Sequence, residues 1–330
     1  MSSAAVVDRV AVVIPAYNAA RWLGETLDSV ASQTVKVAEV IVVDDGSTDE
    51  TAAIGKKHGA NVISTPNRGL SRARNTGMEA ATADWIALLD ADDLWTPDKL
   101  EKQLAAAALA PDVQFVASDH YQFRDESGAT FQESLLALRP DRYAAVNPQR
   151  LGPRLTRLTN MGIGLIALGQ AFFPSTMLFR RELAHALGGF DVELRRCEDY
   201  EFLLRALTRT DILLCEESLM GYRVHPTSLS RNERAMALAH LQIAHRMTER
   251  PDRYAPGVLE AYRRPLRERL LYAATLSIRL NEMEEARTML KAAGEIRRDP
   301  AWLGLSIATR LPPVAISTLH RLKQRIGARA

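Results

Sequence analysis

Over the first part of the chain, short apolar runs alternate with amphipathic stretches, and each run stops at polar residues able to do chemistry. Residues 10–14 are apolar and end at Pro15, predicting a central strand followed by the loop Pro15-Ala16-Tyr17-Asn18. Trp22, Leu23, Leu27 and Val30 recur at helical spacing and predict a helix over residues 20–32. Residues 40–43 form a second strand ending in Asp44-Asp45-Gly46-Ser47, and the spacing of Ser47 and Glu50 predicts a capping box opening a helix to about residue 58. A short strand at 61–64 and a helix at 71–80, with Arg72 and Arg74 near its start, come next. The run Trp85-Ile86-Ala87-Leu88-Leu89 then ends abruptly in Asp90-Ala91-Asp92-Asp93. Strands alternating with helices imply right-handed crossovers and a parallel, doubly wound sheet. In such sheets ligands bind beyond the carboxyl ends of the strands.

The pattern continues less regularly. Residues 97–108 read as a helix, 113–118 and 120–123 as strands, and Glu126-Ser127-Gly128 as a turn. Residues 134–169 have a poor pattern and a basic tilt from Arg139, Arg142, Arg150, Arg154 and Arg157. They read as a long, partly helical insertion of the kind that covers a site. Strand character returns at 172–179. A short helix at 181–187 closes on Gly188-Gly189, and a loop leads to Glu198-Asp199 and a helix at 200–207. Strands at 212–214 and 219–224 follow, with His225 just after. From about residue 231 the chain is helical, punctuated by prolines and without a repeat. Residues 314–329 carry one apolar face beside Arg321, Lys323, Arg325 and Arg329. That pattern suits peripheral contact with an anionic membrane surface, or a helix packed on its own protein with its charges in water.

Composition narrows the classes. The 330 residues are 47% hydrophobic, enough for a sizeable core, and a net charge of +2 argues against nucleic acid or another polyanion as partner. Cys197 and Cys215 form no CxxC pair and read as free thiols in a reducing compartment. Met1 to Arg9 lacks the pattern of a signal peptide, and residues 161–173 are too short to span a bilayer. The expected location is the cytoplasm, including the inner face of the cell membrane. No GxGxxG follows the first strand and no GxxxxGK[ST] occurs, so neither a standard dinucleotide site nor a P-loop is supported.

Carboxylates instead stand at the ends of the second and fourth strands. Asp45 and the cluster Asp90 to Asp93 are placed to converge on one crevice. Acids this close repel one another unless a cation, a donor or water offsets them. Oxygen ligands suit Mg²⁺ or Mn²⁺, which in turn suits a phosphate-bearing substrate. The competing reading is a helix start, because Thr96-Pro97-Asp98 has the order of a cap, a first-turn proline and a first-turn acid.

Five stretches occur together: Ile14-Pro15-Ala16-Tyr17-Asn18, Val43-Asp44-Asp45-Gly46-Ser47-Thr48-Asp49, Asn67-Arg68-Gly69 with Ala73-Arg74-Asn75, Leu89-Asp90-Ala91-Asp92-Asp93, and Glu198-Asp199. In this order and spacing they resemble the family 2 glycosyltransferases, over roughly residues 8–230. The resemblance implies a GT-A fold, an α/β Rossmann-like and mostly parallel sheet flanked by helices. It implies a catalytic domain over 1–230, with a nucleotide-sugar half at 8–125 and an acceptor half at 126–230. A helical extension over 231–330 lies outside it.

The resemblance also assigns roles. Pro15, Ala16 and Tyr17 line the nucleoside pocket, and Asp45 accepts the imide N–H of the base; its alternative is a turn aspartate bonded to its own backbone. Arg74 is a donor-pocket cation, Asp90 lies by the ribose, and Asp92 coordinates the divalent metal on the diphosphate. Asp93 and Glu198 are supporting acids. Asp199 is the base that takes the acceptor proton; its alternative is that Glu198 and Asp199 only stabilise the start of the 200–207 helix. In related enzymes a histidine at the place of His225 approaches the metal, whereas a loop histidine facing solvent is the alternative. Trp95 and Phe190 read as core or wall aromatics. The implied activity is inverting, metal-dependent transfer from a UDP- or dTDP-sugar to a saccharide or lipid-linked acceptor, in cell-surface polysaccharide synthesis. The alternatives are a sugar-nucleotide pyrophosphorylase and a non-catalytic scaffold on the same fold. Which sugar, acceptor, linkage and oligomeric state apply is not written in these motifs.

Overall fold

The computed structural model describes residues 9–125, 127–132, 148–159, 164, 172–226, 228 and 231–310. In chain order, β1 (Val10–Ala16) leads to α1 (Leu23–Ala31), β2 (Glu39–Asp44), α2 (Thr51–Lys57), β3 (Asn61–Ser64), α3 (Leu70–Ala80) and β4 (Trp85–Leu88). These strands are mutually parallel, in the order β3-β2-β1-β4. Their carboxyl ends therefore lie along one edge, where the loops carrying Tyr17, Asp45 and Asp90 emerge. β1 and β4 are buried on both faces, which is why they read as unbroken apolar runs.

The second half extends the same sheet. β5 (Leu94–Trp95), α4 (Lys99–Leu109), β6 (Phe115–Arg124), β7 (Thr130–Gln132), β8 (Gln149–Gly152) and β9 (Leu155–Leu158) precede β10 (Leu178–Arg180). Then come α5 (Arg181–Leu187), α6 (Glu198–Ala206) and β11 (Ile212–Val224). Among the described residues the sheet is 11-stranded and continues from β4 as β10-β6-β11-β9-β8, with β5 on β11 and β7 on β6. β10 is antiparallel to both β4 and β6, so β4, β6 and β11 share one direction. Side chains of Val12, Leu23, Val42, Trp85, Leu100, Val116 and Leu213 fill the core on one face. On the other face an aromatic row runs Phe115, Phe179, Phe202, Phe190, with ring centroids 5.7, 5.4 and 4.5 Å apart.

Several elements differ from the sequence reading. The two strands expected at 113–118 and 120–123 are one strand, and those at 212–214 and 219–224 are one strand, β11. Register irregularities between Cys215 and Met220 let β11 carry Glu216, Glu217 and Ser218 without breaking. The strand expected over 172–179 is a 3-10 turn, Pro174–Thr176, followed by β10. Of the insertion read at 134–169, residues 148–159 form the β8–β9 hairpin. Its arginines are paired: Arg150 with Glu216, Arg154 with Glu217, and Arg157 with Asp112 and Asp211. The basic tilt is thus neutralised there; Arg139 and Arg142 lie outside the described residues.

The chain divides into two compact units, residues 1–228 with 252–256, and residues 229–251 with 257–330. The second holds α7 (Glu233–Glu249), α8 (Val258–Arg279), α9 (Met283–Ile296) and α10 (Pro300–Ala308). Leu266, Leu270, Ala274 and Ile278 of α8 and Ala286, Met289 and Ala293 of α9 are buried. No helix among the described residues is long and apolar enough to cross a membrane. Residues 314–329 lie outside them.

Candidate active site

The loops after β1 and β2 are laced together. Asn18 adopts a left-handed conformation, φ 49°, and its side-chain oxygen accepts the Thr48 N–H at 2.9 Å. The Asn18 N–H in turn donates to Ser47 Oγ at 2.9 Å. Ser47 is therefore engaged across the loops and does not form the expected capping box; α2 starts later, at Thr51, with no side-chain cap. Pro15 and Ala16 are buried beneath this lacing, while Tyr17 is 53% exposed and projects from the edge.

Asp45 is buried. Its two oxygens accept the backbone N–H groups of Arg68 and Gly69 at 2.9 and 2.7 Å. The carboxylate thereby ties the end of β2 to the two residues just before α3; Thr65 Oγ1 also donates to Oδ1 at 3.3 Å, which leaves room for one more donor. Gly46, at φ 79°, has no room for a side chain: a Cβ there would lie 2.7 Å from the Asn67 nitrogen.

The three acids after β4 diverge. Asp90 Oδ1 accepts Arg74 Nη2 at 2.6 Å, and the Asp90 N–H donates to Ser175 Oγ at 3.0 Å. Asp92 is one-third exposed, and its Oδ2 lies 2.9 Å from His225 Nε2. Asp93 is buried: Oδ2 accepts Ser175 Oγ at 2.6 Å and Oδ1 accepts the Arg223 N–H at 3.1 Å. Burial, then Asp92 and Asp90, hold the Asp93 carboxyl well above its ordinary range. Asp93 thus braces the loop, and Asp92 is the acid presented to the crevice. The start of α4 also differs from its reading, since Thr96 Oγ1 donates to the Asp98 carboxylate and Asp98 makes no cap bond.

Arg74 joins the loop after β4 to the start of α6. Its guanidinium is buried between Asp90 and Glu198, with Nη1 donating to Glu198 Oε1 and the ring of Phe190 5.4 Å away. Burial opposes its charge, but Asp90 and Glu198 outweigh that and raise its pKa. Glu198 and Asp199 form the first turn of α6, and Cys197 before them takes a left-handed φ of 56°. Such a conformation is uncommon outside glycine and clusters at functional sites. The Asp199 carboxyl is pushed up to about 7, first by burial and then by Glu198, with Arg74 and the Tyr200 N–H pulling the other way. The helix dipole alone would depress it; burial wins.

One turn of α3 holds the loop that delivers these acids. Asn75 Nδ2 donates to the Phe190 carbonyl at 2.9 Å, and the Phe190 N–H donates to Asn75 Oδ1 at 2.7 Å. Ser71 Oγ donates to the Leu194 carbonyl at 3.0 Å. Phe190 is buried in the aromatic row, and Trp95 is buried with its Nε1 donating to the Ser175 carbonyl.

His225 is buried, and its ring stacks on Trp22 at 4.2 Å. Arg223, on the strand leading to it, donates from Nε to the Asp92 carbonyl, from Nη1 to Asp125 and from Nη2 to Glu25. Asp125 also takes Trp22 Nε1 and pairs with Arg21. Sequence reading did not single out Trp22, Asp125, Ser175 or Arg223 as site residues. The available signal was Arg223, a charge inside the apolar run 219–224. Among the described residues no three His, Cys, Asp or Glu side chains are grouped to hold a metal ion. Asp92 and His225 together offer one oxygen and one imidazole nitrogen, which suits an ion completed by phosphate oxygens and water.

Comparison with known proteins bears on the family and the fold. The sequence profile described as Glycosyl transferase family 2 matches residues 11–184. An uncharacterized glycosyltransferase of Rickettsia typhi is 28% identical over 219 residues, covering 66% of this chain and 64% of that protein. The chain thus spans less than two thirds of that relative's length. The uncharacterized glycosyltransferase EpsJ of Bacillus subtilis is 30% identical, covering 67% of this chain and 62% of that one. Among solved structures, TarS of S. aureus in complex with UDP-GlcNAc superposes with TM-score 0.63 at 20% identity, over 87% of this chain and 80% of that one. A mannosyltransferase of Pyrobaculum calidifontis with GDP-Man and Mn2+ does so with TM-score 0.58 at 22% identity, over 92% and 79%. These likenesses fix the fold as GT-A.

Proposed function

The chain belongs to glycosyl transferase family 2, and on that premise we propose that it transfers a sugar from a nucleoside-diphosphate sugar to an acceptor hydroxyl, with inversion at the anomeric carbon. The observation that carries this reading is geometric: Asp199 lies buried in the first turn of α6 beside Glu198, which shares Arg74 with Asp90, and burial pushes its carboxyl up to about 7. A base whose pKa lies near the working pH is the most effective one, being largely ionised yet still basic enough to take a proton. A single in-line displacement then needs only that carboxylate on the acceptor side, with the leaving diphosphate opposite.

The donor side follows from the edge of the sheet. Tyr17 and the free lone pairs of Asp45 meet the base, with Pro15 and Ala16 as the floor, and Asp90 faces the ribose. A uracil or thymine imide N–H matches the acceptor character of Asp45. The UDP-GlcNAc held by the TarS structure and the GDP-Man held by the mannosyltransferase support a nucleotide sugar as donor. A divalent cation, Mn²⁺ or Mg²⁺, held by Asp92 and His225 would offset charge on the leaving diphosphate. Arg223 and Asp93 fix the backbone and bracing of that loop, and Trp22 fixes the His225 ring. Residues 1–230 are the catalytic part in this reading, and a saccharide or lipid-linked saccharide of cell-surface polysaccharide synthesis is the acceptor. The pyrophosphorylase alternative lacks a glycine-rich phosphate loop after β1. A scaffold has no use for a strained turn and a raised carboxylate at the base position.

Release of nucleoside diphosphate from a panel of nucleotide sugars, with and without Mn²⁺, tests the reading. Asp92→Ala is expected to lose metal-dependent donor binding. Asp199→Asn is expected to keep donor binding and lose transfer by at least about 100-fold, the range of a general base. Near-normal turnover by Asp199→Asn overturns the assignment of the base.

A further inference from the structure

α4 turns two polar side chains into the core. Lys99 and Gln103 stand four residues apart, hence on one face of the helix, and both are 0% exposed. Lysine is almost never fully buried unless it is paired with an acid. Among the described residues Lys99 has no such partner. Its Nζ donates to Gln103 Oε1 at 2.6 Å and lies 4.1 Å over the Trp95 ring. Burial pulls its ammonium down to about 7, against the opposing effect of Cys215. A group buried in this way costs stability, and apolar side chains would fill the same space without that cost.

The pair holds the 3-10 turn Pro174–Thr176. Gln103 Nε2 donates to the Thr176 carbonyl at 2.8 Å, and Trp95 Nε1 donates to the Ser175 carbonyl at 2.8 Å. Two consecutive carbonyls are thus fixed by side chains that both touch Lys99 Nζ. A glutamine amide has an accepting end and a donating end. Lys99 takes the accepting end, which leaves the NH₂ for Thr176. The turn carries Ser175, whose Oγ accepts the Asp90 N–H at 3.0 Å and donates to Asp93 Oδ2 at 2.6 Å. Bonds therefore run from α4 through the turn to both ends of the acidic loop, with Asp92 between them.

We propose that Gln103, oriented by Lys99, is a positioning residue for the loop Asp90 to Asp93, acting through the 174–176 turn and the Ser175 hydroxyl. In the transferase reading, on which this further step rests, the same bonds set where Asp92 stands toward the diphosphate and its ion.

Hydrogen exchange at the Asp90 amide, followed on the full chain without ligand by residue-resolved mass spectrometry, tests the positioning. Gln103→Glu keeps the size and the Lys99 contact and removes the donor to Thr176. Gln103→Met removes both bonds at similar volume. Each is expected to speed exchange at Asp90 about tenfold or more while β1 amides change less than about twofold, as for a local opening. Ser175→Ala speeds it too, and adding Gln103→Glu to Ser175→Ala is expected to have no further effect, because the coupling runs through that hydroxyl. A merely structural loss would add in the double variant and would reach β1. Binding of UDP, dTDP and GDP, each with Mn²⁺, is then measured by calorimetry. The nucleotide that the parent binds most tightly is expected to bind Gln103→Glu about fivefold or more weakly, with Lys99→Met between the two. Unchanged exchange at Asp90, an equal rise in β1, full additivity with Ser175→Ala, or faster exchange with unaltered nucleotide binding overturns the proposal. Faster exchange in the variants of a parent that binds none of the three nucleotides supports the positioning of the loop and counts against the transferase reading instead.

Discussion

Asp199 sets the pH behaviour of the molecule. Burial and then Glu198 push its carboxyl up to about 7 in the fold, from an ordinary value of 3.8. Turnover limited by this base rises with pH through about 7 and levels above it. Glu198 is the second cause of the upward shift, after burial. Glu198→Gln removes that contribution and leaves Arg74 with one counter-charge fewer, so the rising limb is expected to move to lower pH; an unmoved limb means another group is the base. The effect on stability has the opposite sign. Between 3.8 and about 7 the folded form binds the proton more tightly than the unfolded one, so stability falls as pH rises across that window. Asp199→Asn removes the penalty, and its melting temperature at pH 8 is expected to exceed the parent's by on the order of 5 °C. A melting temperature at or below the parent's contradicts the burial of this charge.

At the scale of elements, α3 is the organising piece. Its start is tied to β2 by Asp45, its middle carries Arg74 and Asn75, and its Gly77 lies hard against β1. A Cβ at Gly77 would sit 2.3 Å from Val13 Cγ1 and 3.2 Å from Val43 Cγ2. Gly77→Ala is therefore expected to destabilise by about 1–3 kcal/mol, measured by denaturant unfolding, because a packed core resists an added methyl group. Asn75→Ala removes both bonds that hold Phe190. It is expected to lower kcat about tenfold or more while donor affinity stays within about twofold, as for a misplaced catalytic group. Equal loss in donor affinity would assign Asn75 to the donor pocket instead.

Much of this element-level design was legible beforehand, and the reason is local. β1, β2 and β4 are short apolar runs ending in polar motifs, and α3 and α6 carry their functional residues within a few positions of one another. What was not legible depends on pairing between distant residues. Arg223 is a lone charge within the strand read at 219–224, and its partners Asp125 and Glu25 lie far away in sequence. Ser175 falls within the run 172–179 read as strand, and its bridge between Asp90 and Asp93 shows only in the fold. Trp22 fits a helical apolar stripe, but its ring serves His225, 203 positions away by their numbering. Likewise β10 shows strand character in sequence, yet nothing local announces that it inserts antiparallel between β4 and β6.

At the scale of the whole molecule, the carboxyl edge of the sheet gathers acids from several distant parts of the chain, and two arginines keep them from repelling one another. Arg74 spans Asp90 and Glu198; Arg223 spans the Asp92 carbonyl, Asp125 and Glu25. With those charges offset, Asp92 remains at the mouth beside His225, and Asp199 remains basic. In the proposed reading, a donor diphosphate bound there would bring its own charge and, with its ion, complete the set. The measurement closest to this claim is a crystal structure with Mn²⁺ and the nucleoside diphosphate that most raises the melting temperature, the ion being located by its anomalous scattering. The account predicts manganese between the Asp92 carboxylate, His225 Nε2 and the diphosphate, with the base against Tyr17 and Asp45 and the Asp199 carboxylate facing the open side. A manganese peak away from Asp92, or a nucleotide bound off the edge between β1, β2 and β4, would contradict it.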